Sequence, residues 1–151
     1  MPTSGPVSGR ILALDVGNRR IGLACSDPTG FLATPIGTYT RTDEARDVDH
    51  ILRLAREHEA ATVVVGLPVN MNGSEGSQAE MTRGFAEALT RQELVVELWD
   101  ERLTTVEATR MLLEQGVKPK DVPSHVDEAA AVLILESYLL SRGPRAGTAN
   151  S

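Results

Sequence analysis

Residues 10–26 read RILALDVGNRRIGLACS, and the fold turns on how that stretch is taken. Arg10 to Val16 is short and almost wholly apolar, the composition of a buried strand. Gly17-Asn18-Arg19 is turn chemistry, because Gly and Asn adopt backbone conformations that other residues avoid. Arg20 to Ser26 is a second run of strand character. Two such runs around three turn residues predict an antiparallel hairpin. The one charge inside the first run is Asp15. A charge among apolar strand residues is costly unless it is paired or coordinated. Position alone leaves two readings: a turn residue bonding the backbone of 17–19, or a member of a site.

Outward from the hairpin, Asp27-Pro28-Thr29-Gly30 is another turn, and Phe31 to Thr40 a third strand weakened by Pro35. The period then changes. Val48, Ile51, Leu52 and Ala55 fall at helical spacing, with six acids between Asp43 and Glu59, so an amphipathic helix with a wet outer face is expected there, carrying His50 and His58 on its surface. Ala61 to Val65 is a β-branched run suited to a central parallel strand. Gly66-Leu67-Pro68 ends it, and 69–76 form a loop. Ser77 with Glu80 has the spacing of a capping box opening a helix lined by Met81, Phe85 and Leu89. Leu94 to Trp99 is a further strand. Thr104 with Glu107 predicts a helix ended by Gly116, then a loop over 117–123. Ser124 with Asp127 predicts the cap of a last helix running to about Ser141.

The order is βββαβαβαα. Three strands joined by tight turns pair antiparallel, and strands separated by helices add in parallel. The expected fold is therefore α/β: a five-stranded mixed sheet flanked by helices on both faces. Residues 10–142 make one domain, between a flexible head (1–9) and a flexible tail (143–151).

Composition bounds what such a domain does. The 151 residues are 41% hydrophobic and 24% charged, which excludes a disordered chain. The longest apolar run, Ala129 to Leu135, is far below the roughly 20 residues of a membrane span. The head has no apolar stretch after a basic start, so no secretory signal is read and the cytoplasm is expected. One cysteine, Cys25, excludes an internal disulfide framework and a Cys-based zinc site; it reads as a small buried apolar residue. Fifteen basic against twenty-one acidic residues give a net charge of −6, so an anionic partner must be met by a local patch. Residues 1–42, with four Arg and two Asp, are net +2.

Three carboxylates stand at element ends. Asp15 closes the first strand. Asp100-Glu101-Arg102 follows the fifth, where alternation puts Leu98 and Asp100 on one face and Trp99 and Glu101 on the other. Asp127 begins the last helix, where it is either a cap or a site residue; the Ala129-Ala130-Ala131 that follows lets that helix lie close to a sheet. In open α/β sheets, sites form at the carboxyl ends of strands. Carboxylates gathered there repel unless cations neutralise them, and oxygen ligands suit Mg²⁺ or Mn²⁺. Two such ions about 3.5–4 Å apart stabilise both attacking and leaving oxygens of a phosphodiester. His50, His58 and His125 have no metal-motif spacing.

LALDVGNRRIGLACSD, VVVGLPVNMNGSEG, WDERLTTVEA and the DEAAAVLILESYL helix together resemble the YqgF (RuvX) family over roughly residues 10–142. The resemblance implies a ribonuclease H-like fold akin to the RuvC-type resolvases. It implies a metal-dependent nuclease processing the 5′ end of pre-16S ribosomal RNA. The alternatives are a resolvase of four-way DNA junctions or a non-catalytic RNA-binding ribosome-assembly factor. It assigns catalysis and metal binding to Asp15, Glu101 and Asp127, choosing Glu101 over Asp100. Related resolvases use four acids with the middle one on a different strand. Beside those acids, Asn70 and Asn72 of the loop after the fourth strand, with Arg19, Arg20, Arg102, Lys118 and Lys120, are the expected grip on nucleic-acid phosphates. With five aromatics in the chain, backbone recognition of structured or single-stranded RNA is expected rather than base stacking. A junction resolvase requires a dimer, whereas an RNA nuclease works as monomer or homodimer. LDVGNRRIG is also similar to the first phosphate motif of actin-like ATPases, but those need two lobes and a single domain is one.

Overall fold

The computed structural model describes residues 9–30, 32–104, 114, 116, 118 and 122–141, without the side chains of residues 103 and 122–128. The elements are β1 (Arg10–Val16), β2 (Arg20–Ser26), β3 (Ala33–Thr40), α1 (Glu44–Glu57), β4 (Ala60–Leu67), α2 (Ser77–Thr90), β5 (Val95–Asp100), a 3₁₀ turn η1 (Glu101–Leu103), and α3 (Val122–Ser141). The helix expected over 104–116, the head and the tail fall largely or wholly outside the described residues.

The five strands form one sheet in the order β3-β2-β1-β4-β5. β1 pairs antiparallel with β2 and β2 with β3, while β1–β4 and β4–β5 are parallel. The mixed sheet read from the hairpin and the helical crossovers is the one found. Pro35 is accommodated because β3 is an edge strand and the β2–β3 register shifts beside it, with Leu23 opposite Gly37 but Ala24 opposite Pro35.

Alternation divides the core into two layers. Leu12, Leu14, Ile21, Leu23, Val63 and Val65 pack with Val48, Ile51, Phe85 and Leu89 of α1 and α2. Ile11, Ala13, Ala24 and Val64 pack with Ala131, Ile134, Leu135 and Tyr138 of α3. Cys25 is buried in the first layer. Ala129, Ala130 and Ala131 are all buried; their small side chains let α3 settle near the strands. No helix among the described residues is long and apolar enough to cross a membrane.

Four local expectations are corrected. The outer face of α1 is not wholly wet: Asp47 is turned inward with 1% exposure, because Arg41, Tyr39 and the Thr42 amide supply it with donors. His50 is not a surface residue but lies half-buried, stacked on Tyr39 with ring centroids 4.1 Å apart. The α2 capping box does not form. Gly76 occupies the extended N-cap position and Ser77 is already helical, so its hydroxyl stands one residue too late to cap. Finally, α3 starts at Val122 rather than after Ser124. Pro123 suits a first helical turn, where its missing N–H costs nothing. Asp127 therefore falls in the second turn.

Candidate active site

Asp15, Gly66 and Glu101 lie on the α3 side of the sheet. Ala13 and Val64 belong to the α3 layer, so Asp15 and Gly66, two residues further along their strands, share that face. Trp99 also packs in that layer, and Glu101 follows it by two. The parallel registers Leu14–Val65 and Gly66–Trp99 set the carboxyl ends of β1, β4 and β5 side by side. At Glu101 the strand gives way to η1, closed by the Thr104 hydroxyl donating to the Glu101 carbonyl at 3.0 Å.

The end of β5 is held against α3 by two bonds. Trp99 Nε1 donates to Ser137 Oγ at 3.0 Å, and the Tyr138 hydroxyl donates to Glu97 Oε2 at 2.9 Å. On that footing the Glu101 side chain turns inward and is hydrogen-bonded to Asp15. Burial, with the neighbouring charge of Asp15 and the bond to it, pushes the Glu101 carboxyl up to about 9. Two carboxylates in contact cannot both ionise cheaply, so the pair keeps a proton at neutral pH.

Asp100 has the opposite setting. It is partly exposed, accepts the Arg102 amide at 2.9 Å, and is bound by the Arg102 guanidinium at 2.8 Å. Its bond to the Arg102 side chain holds its carboxyl below the usual range. Asp100 and Glu101, adjacent in sequence, are thus one outward acid bound to a cation and one inward acid bound to an acid.

The remaining expected residues are distributed as follows. Arg19 and Arg20 are exposed at the β1–β2 turn, on the rim beyond Asp15. The Asn70 side chain donates to Ser74 Oγ at 2.9 Å, and Asn72 Oδ1 accepts from the Ser74 amide and hydroxyl, so both side chains help close their own loop. Lys118 is exposed; Lys120 and the Asp127 side chain lie outside the described residues. Among the described residues no group of three or more His, Cys, Asp and Glu is arranged to hold a metal.

Sequence reasoning did not find the support of the β1–β2 turn. Arg41, on the layer opposite α3, donates to the Gly17 carbonyl at 2.9 Å, pairs with Asp47 at 2.9 Å, and lies 5.2 Å over the Phe85 ring. Gln78 Nε2 donates to the Val16 carbonyl at 3.3 Å. These bonds fix the chain immediately after Asp15. The available signal was an Arg six residues before an Asp at a helix-facing position, which is too common to single out.

A sheet of this order with helices on both faces is a ribonuclease H-like fold. Thermus thermophilus RuvC, solved in complex with a Holliday junction substrate, superposes with a TM-score of 0.55 at 13% identity, covering 89% of this chain and 96% of that one. The sequence then narrows the class. The model of the RuvX family, described as Holliday junction resolvase, matches residues 9–141. A Clostridium acetobutylicum relative named "Putative pre-16S rRNA nuclease" is 45% identical over 133 residues, covering 87% of this chain and 98% of that protein. A relative of the same name from Halalkalibacterium halodurans is 47% identical over 135 residues, covering 86% and 95%. The chain belongs to the RuvX family.

Proposed function

We propose that this protein is a divalent-metal-dependent nuclease, a hydrolase of phosphodiester bonds, acting in the cytoplasm on the 5′ end of pre-16S ribosomal RNA. The observation that carries the reading is the half-buried contact between Glu101 and Asp15. A fold gains no stability from pressing two acids together, so the pair is explained by what it binds.

The donor set fits a hard cation. Asp15 and Glu101 offer carboxylate oxygens only, and the proton they hold is what a cation displaces. Asp127 is the proposed third donor, four residues before Ala131 and seven before Ile134, the spacing of one helix face. When bound, Mg²⁺ or Mn²⁺ supplies Lewis acidity at a phosphodiester oxygen. The chain's own residues do the rest. Asp15 and Glu101 fix the oxygen positions, and Arg41 and Gln78 hold the turn after Asp15. Arg19 and Arg20 face the phosphates flanking the cut, with Arg102 and Lys118 further along the rim.

The test is a cleavage assay with Mg²⁺ or Mn²⁺ on three substrates side by side: structured RNA, single-stranded RNA and a four-way DNA junction. The reading expects RNA to be cut by the wild type and spared by Asp15→Asn. Preferential cutting of the junction moves the activity to resolution, and no metal-dependent cutting of any substrate refutes it. Replacing Arg19 and Arg20 with Ala weakens RNA binding uniformly across sequences. It also lowers the slope of log K against log salt by about 1–2, measurable by titration at several ionic strengths.

A further inference from the structure

We propose that Gly66 is a positioning residue, the gap in β4 through which Glu101 crosses to reach Asp15; this rests on reading those two acids as the metal-binding pair. The sheet order puts β4 between β1 and β5. Neighbouring strands lie about 4.8 Å apart, so acids on β1 and at the end of β5 start roughly 10 Å apart. They meet only if a side chain passes over the strand between them. The residue under that path is Gly66, paired with Trp99 and one beyond the Val65 that faces Leu14.

The space there is already taken. A Cβ on Gly66 would stand 2.7 Å from Glu101 Oε2 and 2.8 Å from Glu101 Cγ, and would also collide with Ile134 Cδ1 of α3. Real Cβ contacts do not fall under 3.0 Å. Gly66 is buried, the last residue but one of a central strand, and does not have a positive φ. Its backbone therefore does not require glycine. Glycine weakens a strand interior, and one found there marks a close approach by another group. Here two groups approach: α3 settles on Gly66 through Ile134, and Glu101 lies across it. The first is a packing role, the second a functional one, and they are separable because different atoms are involved.

The geometry also accounts for the length of the acid. A Glu carries its oxygens one methylene further than an Asp, and the Cγ that collides with the added Cβ is part of that extra reach.

The experiment compares Ile134→Val with Gly66→Ala/Ile134→Val. Valine lacks Cδ1, so the double variant keeps the methyl against Glu101 while removing the clash with α3. In both backgrounds, thermal melts of metal-free protein are collected with Asp15→Asn, Glu101→Gln and both together. This gives the coupling between the two acids, independent of any catalysis. Mn²⁺ affinity by calorimetry and cleavage of the RNA substrate are read alongside. The proposal expects clear coupling with Ile134→Val alone and none once Gly66→Ala is added. Mn²⁺ affinity and kcat should fall by about 10–100-fold while KM for RNA stays within about twofold. Coupling that survives Gly66→Ala, or is absent with Ile134→Val alone, overturns it. If Gly66→Ala/Ile134→Val does not fold, Ile134→Ala replaces Ile134→Val in the same scheme, and a second failure to fold assigns Gly66 to packing and overturns the functional role. Loss of coupling in a protein whose wild type cuts nothing keeps the positioning role and removes the nuclease reading. Unchanged coupling in an active protein does the reverse.

Discussion

Two inward-turned acids on opposite faces of the sheet are in opposite circumstances. Asp47, between α1 and β3, has donors on every side: the Thr42 amide, Arg41 Nε and the Tyr39 hydroxyl, each at 2.9 Å. Burial opposes its charge, yet those bonds keep its carboxyl below the ordinary value. Glu101, on the α3 face, meets Asp15, and its carboxyl is driven up. Burial alone therefore does not mark a site. An acid enclosed by donors keeps its charge as part of the scaffold, whereas an acid set against another acid is costly to charge, and only the second calls for a binding partner as its explanation.

The largest break in that comparison is expected from Glu101→Gln. Single-turnover cleavage should fall by about 10³-fold or more, roughly 4 kcal/mol of transition-state stabilisation, with folding intact by circular dichroism. Retained activity, together with loss in Asp100→Asn, would transfer the role to Asp100. The two faces should also respond oppositely to neutralisation. Asp47→Ala strands Arg41 and loosens the Gly17 turn, costing about 3–5 kcal/mol by denaturant unfolding. Asp15→Asn, by relieving repulsion, should instead raise the melting temperature of metal-free protein. A loss of stability in Asp15→Asn would make that pair structural too.

Part of this was legible in the sequence and part was not. The β1–β2 hairpin, the β-branched β4 and the helical spacing in α1 and α2 were readable because local pattern and tertiary role agree there. Asp15 and Glu101 were readable as acids at strand ends, with the choice of Glu101 over Asp100 coming from family resemblance. Asp47 was hidden because six acids between Asp43 and Glu59 look like a solvated face, and only the fold brings Arg41 and Tyr39 to it. Gly66 looked like the end of a strand, since a side chain arriving from β5 leaves no local trace. The start of α3 was misjudged because the Ser124–Asp127 spacing imitates a cap.

A finer contrast lies in the response to pH. Unfolded, Glu101 loses its proton near 4.5; folded, it holds it to about 9. Between those values the unfolded chain binds fewer protons, so stability falls as pH rises. Melts of metal-free protein should decline from pH 5 to 9, and Glu101→Gln should flatten the decline. Asp47 gives the reverse slope: its contribution is full above 3.8 and is lost as pH falls through its lower folded value. The smallest effect is expected at Asp100, whose ion pair with Arg102 is partly exposed. Asp100→Asn should melt within about 2 °C of wild type, and a larger shift would mean that η1 depends on it.

The strand order also has a consequence for how the protein is made. β1, β2 and β3 are contiguous in sequence and neighbours in space, so they can pair while the rest of the chain is still being synthesised. Glu101 arrives much later: at about 5–20 residues per second it follows Asp15 by roughly 4–17 s. Ile134, which settles over Gly66, comes later still. Until then the growing sheet lacks the acid that Asp15 meets in the finished fold. The acid pair, and with it the metal binding proposed for that pair, thus comes into being only when most of the chain has been made.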